Sequence, residues 1–282
     1  MPARKTPRST DKAPSARNRY RTLWISDVHL GTPGCQAAHL VDFLKQNECE
    51  TLYLVGDIID GWKLRHHFYW PQEHTNVVRK ILTKSKRGTK VYYITGNHDE
   101  FLRKFVDYRL TLGNIQVLNE HIHTTADGRK LLVTHGDQFD VITRYHKWIA
   151  LAGDALYEGT MRFNFWFNRG RRLLGMRYWS LSAFAKQHVK TAVNVVSTFE
   201  ESLARECRRR ELDGVVCGHI HHADIRDIHG VTYLNCGDWV ESCTALGEDY
   251  NGTLHIIRWV ELGHLNGAQS GKVLPLRPAM GA

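Results

Sequence analysis

A four-layer α/β/β/α sandwich, two sheets covered on their outer faces by helices, is the fold class this sequence predicts, and three observations carry it. Short apolar runs alternate with stretches of helical periodicity through the first half of the 282 residues. Short strand-like runs recur in close succession near the end. Between these parts, most of the segment from His135 to His219 reads as helix, an insertion in an otherwise regular rhythm.

The elements follow in order. Met1 to Arg19 is rich in Pro, Ser, Arg and Lys, with six basic residues against Asp11 alone. It lacks the apolar stretch of a signal peptide, and its composition predicts a disordered basic tail over 1–19 that could attract an anionic surface. Thr22 to Ser26 (TLWIS), Leu52 to Val55, Val91 to Thr95 and Leu131 to Thr134 read as buried strands. Gln36 to Asn47 and Thr75 to Lys86 have helix-like spacing between the first three, and such alternation places helices on the sheet faces. Gly214 to Cys217, Ala223 to Ile228, Thr232 to Asn235 and Thr253 to Trp259 form a second set of strands. Their mostly short spacing predicts antiparallel pairing. The expected organisation is one domain over 20–262, a helical insertion over 136–212 inside it, and a Gly-rich tail over 263–282.

Composition narrows the function classes. With 42% hydrophobic and 24% charged residues the chain is of ordinary globular type, long enough to bury a core without disulfides. Cys35, Cys49, Cys207, Cys217, Cys236 and Cys243 include no CxxC pair, a spacing that suggests neither a zinc ribbon nor a small secreted disulfide framework and fits a reduced, cytoplasmic setting. No apolar run reaches the roughly 20 residues that span a bilayer. A net charge of +9 admits nucleic acid, anionic lipid or a phosphorylated substrate, and the lack of a recognisable nucleic-acid module argues against the first. The oligomeric state leaves no mark on the sequence.

Each predicted strand ends in potential ligands. They are Asp27-Val28-His29, Gly56-Asp57-Ile58-Ile59-Asp60, Gly96-Asn97-His98-Asp99, His135-Gly136-Asp137, Gly218-His219-Ile220-His221 and Asn235-Cys236-Gly237-Asp238. In open α/β sheets, sites assemble in the loops beyond the strand carboxyl ends. Alternation along a strand leaving its sheet lets residues i and i+2 of DxH or HxH approach one ion from related directions. Oxygen and imidazole donors without cysteine suit Mn²⁺, Fe or Zn²⁺ and argue against a purely structural zinc. Asp57 is the natural bridge between two ions. Two metals about 3.5–4 Å apart can share a hydroxide and stabilise both attacking and leaving oxygens at phosphorus. The glycines beside Asp57, Asn97, His135 and His219 permit tight strand-to-loop bends. An isolated DxH or HxH is an unremarkable pair. Five such pieces in order, each after a strand-like run, are a strong signal.

That ordered set resembles the calcineurin-like metallophosphoesterases over about residues 20 to 260. The resemblance implies one metal held by Asp27, His29, Asp57 and His221, and a second held by Asp57, Asn97, His135 and His219. It also implies that His98 is a general acid or an electrostatic partner of the transition state, with Asp99 positioning it. A His–Asp pair of this kind fixes an imidazole's tautomer and raises its basicity.

Within that superfamily, WISDVHLG, LVGDIIDGW, YYITGNHD, LLVTHGDQFD and VVCGHIHHA are similar to the bacterial UDP-2,3-diacylglucosamine pyrophosphatases of lipid A biosynthesis. This implies cleavage of a nucleotide-linked lipid at the inner membrane surface, releasing UMP. The attack would come directly from a metal-bridging hydroxide, with no covalent phosphoenzyme, and the insertion would form a lid for the acyl chains. One departure stands out: His98 occupies the place where that family commonly has Arg. GNHD is the pattern of the wider superfamily, so a soluble phosphodiesterase or nucleotidase acting on a non-lipid substrate is the alternative.

The insertion's composition fits a binding role. Ten of the chain's 29 aromatic residues lie between Tyr145 and Phe184, accompanied by seven basic residues from Arg144 to Arg177. Such a surface can hold acyl chains while its cations meet phosphates or anionic headgroups; the same aromatics could equally form the core of a small helical cap. Arg65, His66 and His67 could reach a substrate phosphate from their loop, although a solvated loop accounts for them as well. His121 and His123 read as surface residues. Lys186 and Lys190 share one face of a predicted lid helix, and Arg208 to Arg210 mark an exposed helix end.

Overall fold

A computed structural model describes residues 17–106, 111–112, 114–139 and 196–259. Most of the predicted insertion, with Lys186 and Lys190, lies outside the described residues, as do 1–16 of the N-terminal tail and the tail over 263–282.

The first half runs β1 (Asn18–Ile25), α1 (Ala37–Gln46), β2 (Asn47–Val55), α2 (Gly61–His66), α3 (Gln72–Lys86) and β3 (Lys90–Ile94). Then come β4 (Thr111–Leu112), β5 (Ile115–Leu118), β6 (Glu120–Thr124) and β7 (Lys130–Thr134). The described part of a further helix, α4, covers 196–209. It precedes β8 (Gly214–Cys217), β9 (Asp224–Ile228), β10 (Val231–Asn235), β11 (Thr244–Glu248) and β12 (Leu254–Arg258). One sheet has the order β12-β11-β1-β2-β3-β5-β4 and the other β6-β7-β8-β10-β9. Within the first, β1, β2, β3 and β5 are parallel.

Alternation along the strands builds the layers. On β1, Leu23 and Ile25 pack toward α1 and α3 with Leu40, Phe43, Val77 and Ile81. Trp24, between them, faces the other way and joins Tyr53, Val55, Leu131, Val133, Val216 and Leu246 between the sheets. On the far face, Leu132, Val215 and Tyr233 pack against Phe199, Leu203 and Cys207 of α4. The succession is helices, sheet, sheet, helix. The fold class is therefore as the periodicity predicts. Trp24 is fully buried in the central layer, and truncating it to Ala should cost about 3–5 kcal/mol.

Four details differ from the sequence reading. β1 begins at Asn18, inside the predicted tail, because Arg17 pairs with Glu48 and Asn18 lies opposite Asn47. α4, placed by the reading in the insertion, is the outer layer of the second sheet, since its apolar stripe packs on β7, β8 and β10. β8 and β10 pair in parallel rather than antiparallel, because β9 takes the edge and returns antiparallel to β10. His123 is not a surface residue and His121 is only partly exposed: both lie on β6, where His123 is buried against Glu248 and both rings approach the Tyr53 hydroxyl. Among the described residues no helix is long and apolar enough to cross a membrane, and all six cysteines are free thiols.

Candidate metal centre

The predicted ligand loops converge at the carboxyl ends of β1, β2, β3, β7 and β8, and backbone hydrogen bonds fix how they do so. The pairing of β1 with β2 continues past both strands. Asp27 N donates to the Gly56 carbonyl at 3.1 Å, Val28 N and His29 N to that of Asp57, Leu30 N to that of Ile58 at 2.9 Å, and Asp60 N back to that of Leu30 at 2.8 Å. This irregular ladder carries Asp27, His29, Asp57 and Asp60 as one rigid unit. Asp27, His29, Asp57, His219 and His221 all have positive φ, between 49° and 73°. That conformation strains any residue with a Cβ, and such strain is held where surrounding structure over-determines the backbone, typically at functional sites.

Close approach explains the flanking glycines. A Cβ at Gly56 would lie 2.3 Å from the His135 ring, and one at Gly96 would lie 2.2 Å from Asp57 Oδ1. At Gly218 it would lie 2.4 Å from Asp27 Oδ2.

Among the described residues the side chains form three groups that could hold an ion: Asp27 with His29 and His221, Asp57 with His135 and His219, and, sharing His29 with the first, His29 with Asp60 and His98. In the first, His221 Nε2 lies 3.2 Å from Asp27 Oδ1 and 3.4 Å from His29 Nε2. In the second, His135 Nε2 lies 3.3 Å from Asp57 Oδ2. Each aspartate has one oxygen held by backbone, Asp27 Oδ2 by His219 N at 3.0 Å and Asp57 Oδ1 by His98 N at 2.8 Å. The other oxygen is left facing the imidazoles.

This arrangement fits divalent cations. Among the described residues, Asp27 Oδ1, Asn97 Oδ1 and His135 Nε2 are buried without a hydrogen-bond partner, a costly state for polar atoms unless something else satisfies them. His135 Nδ1 lies 3.0 Å from the Val55 carbonyl, which can only accept, so Nδ1 carries the proton and Nε2 turns its lone pair toward Asp57. Two acceptors at that separation repel unless a proton or a cation lies between them. Burial disfavours the charged imidazole, but the Asp57 carboxylate outweighs it and pushes the His135 pKa up to about 10. Burial likewise opposes ionisation of Asp57, yet His135 and His98 hold it far below the usual carboxylate range. Oxygen and imidazole donors, with no thiolate, are the set that Mn²⁺, Fe and Zn²⁺ share.

His98 lies at the rim, with Nε2 3.9 Å from Asp57 Oδ2. Its ring packs edge-on to His29 at 4.7 Å and against Trp62 at 4.3 Å. The carboxylate facing it is Asp60, not Asp99. His98 Nδ1 lies 3.0 Å from Asp60 Oδ2, within ion-pair distance although not aligned as a hydrogen bond. His29 Nδ1 lies 3.2 Å from the same oxygen. Asp60 Oδ1 meanwhile accepts from Lys63 N at 2.8 Å and caps α2. Burial would raise the Asp60 pKa, but its histidine contacts hold it well below the usual range. For His98, burial is opposed by Asp60 and Asp57, which raise its pKa. Asp99 uses its oxygens elsewhere, accepting from Ile58 N at 3.0 Å, the Tyr93 hydroxyl at 2.7 Å and Gly96 N at 2.5 Å. It ties the Asp57 loop to the Asn97 loop.

Asp60 was visible in the GDIIDGW block without a role, because a partner 38 positions away leaves no local signal. Arg103 was not foreseen either; it pairs with Asp137 at 2.7 Å and links the loops bearing Asn97 and His135. Arg65 and His66 belong to α2, and with His67 they are exposed. Arg208 to Arg210 do mark a helix end, where Arg209 and Arg210 pair with Glu206.

The family model for calcineurin-like phosphoesterases matches residues 20–223. The chain is 26% identical over 234 residues to the UDP-2,3-diacylglucosamine hydrolase of Psychromonas ingrahamii, covering 78% of this chain and 89% of that protein. It is 25% identical over 221 residues to the enzyme of the same name from Neisseria meningitidis serogroup A, covering 77% and 88%. Among solved structures, a Vps29 single mutant from Entamoeba histolytica shares 12% identity at a TM-score of 0.41, over 84% of this chain and 97% of that one. An archaeal phosphodiesterase shares 13% identity at a TM-score of 0.40, over 84% and 98%.

Proposed function

The chain belongs to the calcineurin-like phosphoesterase family and is a metal-dependent phosphoester hydrolase, and from that premise we propose that two metal ions in this centre serve hydrolysis of a nucleotide-linked lipid pyrophosphate, UDP-2,3-diacylglucosamine or a close relative. The observation that carries the two-ion reading is that two of the three groups, Asp27-His29-His221 and Asp57-His135-His219, each hold a buried acceptor with no hydrogen-bond partner among the described residues. Asp27, His29, Asp57 and His221 hold one ion, and Asp57, Asn97, His135 and His219 the other, with Mn²⁺ the favoured metal. When bound, the ions supply a nucleophilic hydroxide near neutral pH and positive charge for the phosphoryl oxygens. Val55 fixes the His135 tautomer. Asp60 orients His29 and His98 together. His98, its pKa raised by those carboxylates, holds a proton at the rim and delivers it, or its charge, to the leaving oxygen.

The relatives support the substrate class by name and by covering most of both chains. The cytoplasmic face of a membrane is where such a lipid would be met. His98 in place of the arginine common in the lipid enzymes favours a second reading, a phosphodiesterase or nucleotidase acting on a non-lipid substrate. A Mn²⁺-supplemented assay decides, with UDP-2,3-diacylglucosamine and bis(p-nitrophenyl) phosphate in parallel. UMP release from the first supports the lipid reading, while diesterase activity without UMP favours the second. Asp57→Ala should lower either activity by at least about 10³-fold with the fold retained. Undiminished turnover by metal-free Asp57→Ala protein would refute the two-ion account.

A further inference from the structure

The ladder joining the Asp27 and Asp57 loops ends at an imidazole outside the ligand set. After Leu30 N has paired with Ile58 O, the next amide along, Gly31 N, donates 3.1 Å to Nδ1 of His74, the third residue of α3. His74 is 2% exposed, and its ring meets Tyr69 and Trp70 edge-on at 5.7 and 5.5 Å. Gly31 has φ +108°, and a Cβ there would lie 2.7 Å from Leu64 Cγ of α2. The turn behind His29 is thus clamped between α2 and α3, with the Gly31 amide donating to the His74 ring.

We propose that His74 is a positioning residue for the metal centre: its imidazole holds the Gly31 turn, and through two peptide units it sets where His29 presents its ring. The inference rests on the reading of His29 as a metal ligand. The chemistry suits an imidazole. A backbone N–H needs an acceptor, and Nδ1 accepts only in the neutral ring, which must then carry its proton on Nε2. Burial pushes the His74 pKa down, against a small opposing pull from Glu73, so the ring stays neutral at working pH. A carboxylate would accept equally well but would add a buried charge, costly without a partner. Residues that orient metal ligands from behind typically change metal affinity or activity by about 10–100-fold when lost, and His74, one step further out, belongs at the low end.

Two variants separate position from packing. His74→Asn keeps an acceptor near Nδ1, whereas His74→Phe keeps a ring and removes the acceptor. Hydrogen exchange at the Gly31 amide, measured on metal-free protein, should quicken by about tenfold or more in His74→Phe and be largely restored in His74→Asn. Mn²⁺ affinity by calorimetry should fall about tenfold in His74→Phe and recover in His74→Asn, with kcat for bis(p-nitrophenyl) phosphate following affinity. Unchanged Gly31 exchange in His74→Phe would overturn the latch itself, whatever the metal does. Faster exchange with unaltered Mn²⁺ affinity would overturn the link to His29. Wild-type protein that fails to bind Mn²⁺ while its Gly31 amide stays protected would instead fault the metal reading on which the link depends.

Discussion

At Asp60 one carboxylate serves three elements: the His29 ring, the His98 ring and the first turn of α2. Asp99, its neighbour in the predicted chemistry, serves the backbone instead. The two therefore fail differently. Asp60→Asn keeps the helix cap, since an amide oxygen also accepts from Lys63 N, but it removes the charge that orients two imidazoles. We expect kcat to fall about 10–100-fold with thermal stability near that of wild type. Asp99→Asn leaves a buried amide among three donors, so at least one N–H or O–H loses its partner. That should cost about 1–3 kcal/mol of stability, read as a lower urea midpoint, with activity falling only as the loops loosen. Equal kinetic damage from both, without a stability difference, would contradict this division. The pairing hid from the sequence because DxxD and NHD blocks each offer a plausible carboxylate, and only three-dimensional contact chooses between them.

Among the elements, the loops that extend β1 and β2 depend on glycines for proximity more than for flexibility. Gly56→Ala would drive a methyl into the His135 ring, 2.3 Å away, at a φ of +75°. Gly88 has a similar φ of +99° but open space around it. Gly88→Ala should thus show only backbone strain, about 1–2 kcal/mol. Gly56→Ala should add a loss of Mn²⁺ affinity of at least about tenfold, measurable by calorimetry. At the other end of the sandwich, Glu248 of β11 is fully buried and joins the two sheets, accepting from Arg21 at 2.6 Å, His123 at 2.9 Å and Ala126 N at 2.7 Å. Burial opposes its charge, but these bonds prevail and leave its pKa below the ordinary 4.5. A lowered folded-state pKa means stability that is present above about pH 4.5 and lost as pH falls through the folded value. Glu248→Gln should lower the unfolding free energy by about 3 kcal/mol at pH 7, and the gap to wild type should narrow toward pH 3. A gap independent of pH would mean that packing rather than charge is at stake. β11 itself was not foreseen: TALGE carries a glycine and little β-branching, and only burial between β1 and β12 makes it a strand.

For the whole molecule, the sequence spoke most clearly where a feature was both local and repeated. Apolar runs ending in DxH, GDxxD, GNHD, HG and GHxH gave the strands that lie parallel, the layer order and the loops that meet at the candidate site. Strand partners decided at long range were not legible. β8 and β10 lie parallel because β9 occupies the edge, and α4 joins the sheet rather than the insertion because its Phe199, Leu203 and Cys207 find an apolar face there. That second result shortens the candidate lid. With α4 assigned to the core, the lid we propose narrows from 136–212 toward the segment before 196. Its aromatic and basic residues concentrate between Arg144 and Phe184, outside the described residues. If that segment holds acyl chains, replacing 144–184 by a short Gly/Ser linker should spare hydrolysis of bis(p-nitrophenyl) phosphate, because all seven proposed ligands lie outside it. The same change should lower kcat/KM on the diacylated substrate by at least about 10²-fold, the loss of some 3 kcal/mol of apolar contact that four buried methylenes would supply. The comparison works within one protein: a centre damaged by the deletion loses both activities, a lid lost from an intact centre loses one. Equal loss on both substrates, with the Mn²⁺ affinity unchanged, would remove the acyl chains from the account of this segment.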